Sequence, residues 1–222
     1  MRSSILLQTT LPSTPRTNVK STSPIDQCHR DPVLHGAQIS RKVSVPDIAG
    51  LIDTLVRPIE DWPEPGVTFR DITPLLADPN GLRAVIDAFA DKALEIAGGP
   101  IDSVLGIEAR GFIFAPAVAL ALGAGFIPVR KGGKLPSTLY SVSYDLEYGQ
   151  ATVEMHTDAI EPGDRVLVID DVLATGGTMA AVADLVNQAG GTVAGNLVLI
   201  ELLALGGRDK LGNTSTAALR SY

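Results

Sequence analysis

The sequence predicts an α/β fold in which a central, mainly parallel sheet is flanked by helices. The first observation is that short apolar runs alternate with amphipathic helical patterns from residue 43 onward, which is typical of parallel strands joined by crossover helices. The second is that this alternation continues without an internal repeat or a second domain boundary. We therefore expect a single domain over residues 43–222.

The first predicted elements are two amphipathic helices separated by a loop. Apolar residues recur at helical spacing over residues 45–59, and Pro46 suits the first turn of a helix. Residues 62–70 contain two prolines and a glycine and predict a shaped loop. Residues 82–96 predict the second helix, which we expect to end at Gly98.

Beyond this helix, apolar strands alternate with helices. Four short apolar runs are predicted to be strands buried on both faces: residues 103–107, 126–129, 165–169 and 193–200. Two helices lie between them, one from Gly111 to about Leu122 and one over residues 178–188. Looser alternation over residues 140–148 and 151–156 predicts an antiparallel hairpin inserted between parallel strands.

One uncharged stretch, residues 111–129, is long enough to raise the question of a membrane span. Its proline and glycines argue against one, because Pro116 falls within a first helical turn and Gly123 and Gly125 end the helical pattern. We expect a buried helix, a turn and a short strand here, and no contact with a membrane.

The charge distribution divides the chain at residue 42. Residues 1–42 hold six basic and two acidic residues, whereas the remainder holds 12 basic and 23 acidic residues. The first segment is rich in Ser, Thr and Pro and predicts a disordered extension, with an organelle transit peptide or an unused upstream start as alternatives. It has no apolar run long enough for a secretory signal, so we expect a cytoplasmic protein.

The acidic body and the cysteine content exclude two classes of protein. The formal net charge of −7 gives no electrostatic footprint for nucleic-acid binding. Cys28 is the one cysteine of the sequence, so a disulfide scaffold is excluded.

The strongest chemical motif is residues 166–178, VLVIDDVLATGGT. A buried strand brings Asp170 and Asp171 to the carboxyl edge of the sheet, where open α/β folds bind ligands. Two carboxylates accept hydrogen bonds from the hydroxyls of a ribose, and small residues opening onto a helix bring backbone N–H groups to a phosphate. The alternative is that the aspartates only cap a helix and the glycines only make a turn.

These residues resemble the phosphoribosyl-diphosphate signature of the type I phosphoribosyltransferases. Five further segments resemble the adenine-specific branch of that family, in unbroken order from residue 45 to residue 211. They are PGVTFRDITP (65–74), GIEARGFIF (106–114), RKGGKLP (130–136), YDLEYG (144–149) and VLIELLALGGRDKL (198–211), the last similar to the family's final strand and turn.

The resemblance implies a fold, a reaction and a cofactor. The fold is that of the type I phosphoribosyltransferases, with a mobile hairpin loop and a small hood over the base. The reaction is adenine plus 5-phospho-α-D-ribose 1-diphosphate (PRPP) giving AMP and diphosphate, with Mg²⁺ on substrate oxygens. The PRPP and AMP ligands would be the end of the motif: Asp170, Asp171, Val172, Leu173, Ala174, Thr175, Gly176, Gly177 and Thr178.

The resemblance also assigns the diphosphate and catalytic groups. Arg110 would bind the diphosphate, with a surface ion pair to Glu108 as the alternative, and the Glu108–Ala109 peptide is a candidate for the cis form known in the family. Lys131 and Lys134 would form a cationic arm that reaches the partner subunit's site, which implies a homodimer; a solvated basic turn is the alternative.

Two loop residues complete this expected set, together with the aspartates. Glu147 would lie near the purine N7 and exchange a proton, and Tyr148 would close over the reactants; exposed strand residues are the alternative. Asp170, Asp171, Arg110 and Glu147 are thus the expected catalytic residues. Asp170 would reach Mg²⁺ through water, and no direct protein ligand of a metal is expected.

Adenine would be held by the segment Thr68, Phe69 and Arg70, with Glu201 near the base as a further candidate. Phe69 as an ordinary core aromatic and Arg70 paired with Asp71 are the alternatives. For the whole protein, the alternatives are a phosphoribosyltransferase for hypoxanthine, guanine or xanthine, and a nucleotide-sensing regulator of the same fold without catalysis.

Overall fold

The computed structural model describes residues 47–145 and 149–222, and within them the chain forms an α/β domain. Along the chain the order is α1 (Ile48–Leu55), β1 (Arg57–Ile59), β2 (Phe69–Asp71), α2 (Thr73–Ala77), α3 (Pro79–Ala97), β3 (Ser103–Ile107), α4 (Gly111–Leu122), β4 (Gly125–Lys131), β5 (Leu139–Asp145), β6 (Gln150–His156), β7 (Arg165–Leu173), α5 (Gly177–Gln188), β8 (Thr192–Glu201), two 3₁₀ turns (Leu203–Leu205 and Gly207–Leu211) and β9 (Thr216–Ser221).

The central sheet has seven strands in the order β5-β6-β4-β3-β7-β8-β9. The five strands from β4 to β9 run parallel, and the β5–β6 hairpin adds two antiparallel strands at the β4 edge. From β3 the chain crosses through α4 to β4 on one side, whereas from β7 it crosses through α5 to β8 on the other. The carboxyl ends of the neighbouring strands β3 and β7 therefore border a crevice, which is where such sheets bind ligands.

Helices cover both faces of the sheet. On one face, Phe89 of α3 and Phe114 of α4 are fully buried with ring centroids 5.6 Å apart, packed over β7 and β8. On the other face, Val182 and Leu185 of α5 pack against β3, β7 and β8. Truncating a buried aromatic to alanine typically lowers the free energy of unfolding by about 3–5 kcal/mol. These contacts therefore help to hold β7, which ends in the two aspartates, in place.

The helix boundaries follow local capping chemistry. Asp78 precedes α3 and accepts a hydrogen bond from Gly81 N at 2.6 Å, and Pro79 takes the first helical position, where no N–H donor is needed. Gly98 ends the same helix with φ at +60°, a conformation that glycine adopts without strain.

A separate two-stranded sheet, β1 and β2, is formed by the residues around the predicted first loop. Here two expectations are wrong. The helix predicted to run to residue 59 ends at Leu55, because Val56 is extended and Arg57–Ile59 pairs with β2. The loop predicted over residues 62–70 ends two residues early, since Phe69 and Arg70 belong to β2.

Most of the remaining elements confirm the predictions. Strand β3 and helix α4 have the predicted limits, while β4, α5 and β8 extend one or two residues beyond theirs. Strand β7 continues through Leu173 rather than ending at residue 169, so it contains both aspartates. Strand β9 and helix α2 were not predicted, and β9 corrects the expectation that β8 is the final strand.

The uncharged stretch at residues 111–129 is a helix, a turn and most of β4, as predicted. The position expected for Pro116 is wrong, however, because Pro116 lies inside α4 and not in its first turn. Among the described residues, no helix combines the length and apolar character needed to cross a bilayer. The predicted extension, residues 1–42, lies outside the described residues.

Candidate active site

A cavity of about 960 Å³ lies at the carboxyl ends of β3 and β7. Its walls come from the loop after β3, the end of β4, the β5–β6 hairpin, the end of β7 and the first turn of α5. The lining residues are Ile107, Glu108, Ala109, Arg110, Lys131, Gly132, Gly133, Tyr144, Ala151, Thr152, Glu154, Asp170, Asp171 and Thr178. The structure thus brings five of the predicted site residues to one crevice: Arg110, Lys131, Asp170, Asp171 and Thr178.

Asp170 and Asp171 both line this cavity at the end of β7. Burial raises the pKa of Asp170 well above its ordinary value, and the negative charge of Asp171 raises it further. Burial also raises the pKa of Asp171, while the Arg110 guanidinium acts in the opposite direction. The two adjacent carboxyls therefore hold a proton more readily than exposed aspartates, and cations or hydroxyl donors would favour their ionised forms.

Arg110 supplies the cation nearest to this pair. Its Nε lies 2.6 Å from Asp171 Oδ2, and the Arg110 side chain is 47% exposed whereas that of Asp171 is 6% exposed. The predicted alternative, an ion pair with Glu108, is wrong, because Glu108 is occupied by other cations. Arg110 also lines the cavity, so its half-exposed guanidinium is accessible to an anion there.

Glu108 anchors the cationic arm instead. It accepts hydrogen bonds from Arg130 Nε at 3.0 Å, from Lys131 N at 2.9 Å and from Lys134 Nζ. These donors, Lys134 foremost, lower the pKa of Glu108 to about 2. The Glu108–Ala109 peptide is cis, in agreement with the family pattern expected from the sequence. Lys134 is therefore not simply a solvated turn residue.

The arm is also fixed to the hairpin. Gly132 N donates to Thr152 O at 2.9 Å, and Gly133 N donates to Glu154 Oε2 at 2.9 Å. As a result Lys131 lies on the wall of the cavity in its own chain. The reach of the arm to a partner subunit remains a prediction.

The phosphate loop follows β7 directly. A smaller hollow of about 70 Å³ is lined by Asp170 and by the run Val172, Leu173, Ala174, Thr175, Gly176, Gly177, Thr178 and Met179. Helix α5 begins here at Gly177, and no side chain caps its first turn within the described residues. Its N–H groups and the positive end of the helix dipole are thus directed at the hollow, which is the usual geometry of a phosphate site.

Two contacts hold the phosphate loop in shape. Gly176 has φ at +77°, and a Cβ there would lie 2.2 Å from Gly207 O; a Cβ on Gly207 would lie 2.2 Å from Ala174 O. On the other side, Thr178 Oγ1 donates to Tyr144 Oη at 2.9 Å. The loop is therefore packed between the 3₁₀ turn after β8 and the β5–β6 hairpin.

The predicted base segment does not line the large cavity: Phe69 and Arg70 lie in β2 of the small sheet, and Thr68 directly precedes it. Thr68 Oγ1 donates to Glu60 Oε2 at 2.8 Å, and Phe69 packs edge-on against Trp62 at 4.6 Å between ring centroids. Phe69 is half-buried and belongs to neither core cluster, so it is not an ordinary core aromatic. Arg70 stacks on the Tyr222 ring at 4.0 Å.

Asp71 has a different partner from the predicted one. It accepts hydrogen bonds from Arg57 Nε at 3.1 Å and from Thr73, so the alternative of an Arg70–Asp71 pair is wrong. Glu201 is 4% exposed and binds Arg208 through both oxygens at 2.6 and 2.7 Å, which lowers its pKa. Glu201 lines neither cavity, and its ion pair braces the 3₁₀ turn that supports the phosphate loop.

Comparison with known proteins agrees with this geometry. The family model described as "Phosphoribosyl transferase domain" matches residues 71–212. A curated adenine phosphoribosyltransferase from Thermobifida fusca is 60% identical over 173 residues, which span 78% of this chain and 97% of the relative. The chain belongs to the adenine phosphoribosyltransferase family.

Solved adenine phosphoribosyltransferases share the fold. The enzyme from Thermoanaerobacter pseudethanolicus superposes with a TM-score of 0.74 at 44% identity, covering 78% of this chain and 99% of its own. The Saccharomyces cerevisiae enzyme, solved with adenine and an imino-altritol bisphosphate, has a TM-score of 0.74 at 38% identity, covering 78% and 98%. The fold is thus the type I phosphoribosyltransferase fold that the sequence predicted.

Against this family pattern, two expected residues lie outside the described part of the chain: Glu147 and Tyr148. Four residues shape the site in roles that sequence reasoning did not assign to them: Glu108 as the anchor of the arm, Tyr144 and Gly207 as supports of the phosphate loop, and Tyr222 under Arg70. Glu108, Tyr144 and Gly207 carried a signal, since all three fall in segments that resemble adenine phosphoribosyltransferases, whereas Tyr222 lies outside those segments. The other contacts depend on strand pairing that motifs do not specify.

Proposed function

We propose that this protein is a purine salvage enzyme that transfers the 5-phosphoribosyl group of PRPP to adenine, forming AMP and diphosphate. One observation carries the assignment: Asp170 and Asp171 line the same cavity as Arg110 and Lys131, and the phosphate loop continues directly from them. The acceptors for the ribose hydroxyls, the cations for the diphosphate and the site for the terminal phosphate thus form one continuous surface. Membership of the adenine phosphoribosyltransferase family supports adenine as the base.

The charges of the site suit this transfer. The bond between the anomeric carbon and a diphosphate oxygen breaks, and the electron pair leaves with the diphosphate. Adenine N9 forms the new bond from the opposite face and loses its proton. Arg110 and Lys131 stabilise the departing anion, whereas Asp170 and Asp171 hold the ribose hydroxyls and stabilise positive charge on the sugar. Glu147 stays the proposed group for proton exchange at the purine.

The donor set of the site fits Mg²⁺ held mainly by substrate. No cluster of three or more metal-ligating side chains exists among residues 47–145 and 149–222. The cavity carboxylates are Glu108, Glu154, Asp170 and Asp171, of which Glu108 and Asp171 are paired with cations. Mg²⁺ typically binds one or two carboxylates together with phosphates and water. Asp170 would hold it through water, and the bound ion would neutralise charge on the diphosphate.

We infer that the protein acts as a homodimer. Helix α4 is apolar on all sides, yet Leu120 is 83% and Ile113 is 41% exposed, and these residues share one helical face because they are seven positions apart. A second copy of the chain would cover them. Sedimentation should give a dimer for the unmodified protein and a lower mass for Leu120→Glu; a monomer in both cases would contradict the proposal.

Transfer of the cationic arm to the partner's site can be tested by mixing variants. One variant carries Asp170→Asn with Asp171→Asn, and the other carries Lys131→Met. If the arm serves the partner, half of the sites in a mixed dimer regain all native residues, and mixing restores activity. If the arm serves its own chain, no site regains them and activity stays low.

We also propose residues 43–222 as the phosphoribosyltransferase domain, with residues 1–42 dispensable for catalysis. The alignment with the Thermobifida fusca relative supports this division, because 78% of this chain matches 97% of the relative. The cytoplasmic location stays a prediction from the sequence.

A panel of bases tests the proposed function. The purified protein is incubated with PRPP, Mg²⁺ and one base at a time, and diphosphate release is measured for adenine, hypoxanthine, guanine and xanthine. We expect release with adenine and at most a small rate with the 6-oxopurines. Turnover of hypoxanthine or guanine without adenine would assign another base, and PRPP binding without any turnover would indicate a nucleotide sensor.

A further inference from the structure

The position of the small β1–β2 sheet depends on side-chain contacts. Its two strands pair with each other and not with the seven-stranded sheet. The Arg57–Asp71 ion pair lies within the small sheet, so it does not fix that sheet relative to the crevice. Val56 before β1 and Ile72 after β2 are buried in the core and hold the two ends of the small sheet. A group that connects Arg70 of β2 to the central sheet would add to these anchors and help to fix where the proposed base segment lies.

Tyr222 makes that connection. It follows β9, and the Arg70 guanidinium of β2 lies 4.0 Å from the centre of its ring. The backbone of Tyr222 is fixed at the carboxyl edge of the central sheet: its N donates to Glu201 O at 2.9 Å and its O accepts from Leu203 N at 2.9 Å. The ring is thus a platform of fixed position beneath a residue of the base segment.

A second set of contacts involves the hydroxyl of Tyr222. The Tyr222 hydroxyl donates to Asp53 Oδ1 of α1 at 2.8 Å, and Arg220 Nε donates to the same oxygen at 2.9 Å. Burial and the neighbouring Asp53 raise the pKa of Tyr222, so its hydroxyl stays protonated at neutral pH. Three elements, α1, β2 and β9, therefore meet at this one side chain.

We propose that Tyr222 is a positioning residue for the purine base, which holds the segment Thr68–Arg70 in place by stacking under Arg70. The proposal rests on the proposed function, because it takes that segment as the adenine site. The stacking face, rather than the hydroxyl, carries the effect, since only the ring contacts Arg70. Loss of the ring should weaken adenine binding and leave the distant diphosphate and phosphate contacts unchanged.

Steady-state kinetics of two Tyr222 variants test the role. Tyr222→Leu removes the ring, and we expect the KM for adenine to rise about threefold to tenfold, the range expected for one cation–π contact, with the KM for PRPP unchanged. Tyr222→Phe keeps the ring and loses the hydroxyl, so it should retain the native KM for adenine. If Tyr222→Leu does not fold, Tyr222→Met provides the same comparison.

The matched control is Asp53→Asn, which weakens the contacts to Arg220 and to the Tyr222 hydroxyl but leaves the ring in place. It should leave the KM for adenine close to native. A native KM for adenine in Tyr222→Leu, or equal rises in the KM values for adenine and PRPP, would overturn the positioning role. Turnover of adenine by the unmodified protein would still uphold the proposed function in that case. Absence of adenine turnover by the unmodified protein would overturn both.

Discussion

Arg110 Nε and Asp171 Oδ2 lie 2.6 Å apart and connect the loop after β3 to the end of β7. The pair joins the proposed diphosphate ligand to one of the proposed ribose ligands across the crevice. It forms because β3 and β7 are neighbouring parallel strands, so that residues after one strand face residues at the end of the other. The electrostatics of the two halves of the site are therefore coupled.

This coupling predicts a shift in the pH dependence of Arg110→Gln. The guanidinium lowers the pKa of both aspartates, so its removal leaves them protonated to a higher pH. We expect the acid limb of the kcat/KM profile for PRPP to move to higher pH, in addition to a loss of rate. Arg110→Lys keeps the charge and should keep the limb near its native position; an unshifted limb in Arg110→Gln would contradict the coupling.

Lys131→Met should raise the KM for PRPP and leave that for adenine within about twofold. Lys131 lines the cavity together with Arg110, the other proposed diphosphate ligand there. A hydrogen bond to a charged group contributes about 1.5–3 kcal/mol, so its loss should raise the KM for PRPP roughly tenfold to hundredfold. Lys210→Met is the control, because Lys210 is exposed on the 3₁₀ turn away from the cavity. Equal KM values for PRPP in the two variants would show that Lys131 does not bind PRPP.

Gly207→Ala should disturb the phosphate loop. The added methyl would lie 2.2 Å from Ala174 O, so the turn or the loop must move, at a cost of about 1–3 kcal/mol in the free energy of unfolding. AMP binding, measured by calorimetry, should weaken as well. Gly99→Ala is the control, since its methyl would meet only Arg165 at an ordinary 3.5 Å. Native AMP affinity in Gly207→Ala would show that the contact does not shape the loop.

Asp71 should contribute stability that is lost in acid. Hydrogen bonds from Thr73 and Arg57 lower its pKa to about 2, compared with about 3.9 in an unfolded chain. Its contribution is therefore present above about pH 4 and is lost as the pH falls towards 2. Asp71→Asn should lower the urea midpoint at pH 6 and show a flatter decline between pH 4 and pH 2. Asp87→Asn, which removes the exposed pair with Arg83, should behave like the unmodified protein.

The sequence predicted the parts of this protein whose signals are local. The β7 strand, the phosphate loop and α5 are consecutive, so apolar periodicity and small residues were sufficient to place Asp170 next to Thr178. Strand β9 was missed because it is short and only Leu219 within it is buried. The helix predicted over residues 45–59 is too long, because the end of α1 is set by the pairing of Arg57–Ile59 with β2, which lies further along the chain.

Side-chain partners were harder to predict than elements. Arg110 follows Glu108 by two residues, which made a local pair the alternative to diphosphate binding, but the pairing of β3 with β7 brings Asp171 close to Arg110 instead. Glu108 then binds the arm, because β4 runs beside β3 and returns Arg130 and Lys134 to it. Likewise Arg70 meets Tyr222 rather than its neighbour Asp71, and that contact exists only once the small sheet lies beside β9.

The central claim is that the aspartate pair at the end of β7 is the centre of an adenine phosphoribosyltransferase site. AMP formation from adenine and PRPP, measured for the unmodified protein and for Asp170→Asn with Asp171→Asn, tests it most directly. We expect the double variant to retain its fold by circular dichroism and to lose turnover by about two orders of magnitude or more. Undiminished turnover in the folded double variant would contradict the claim.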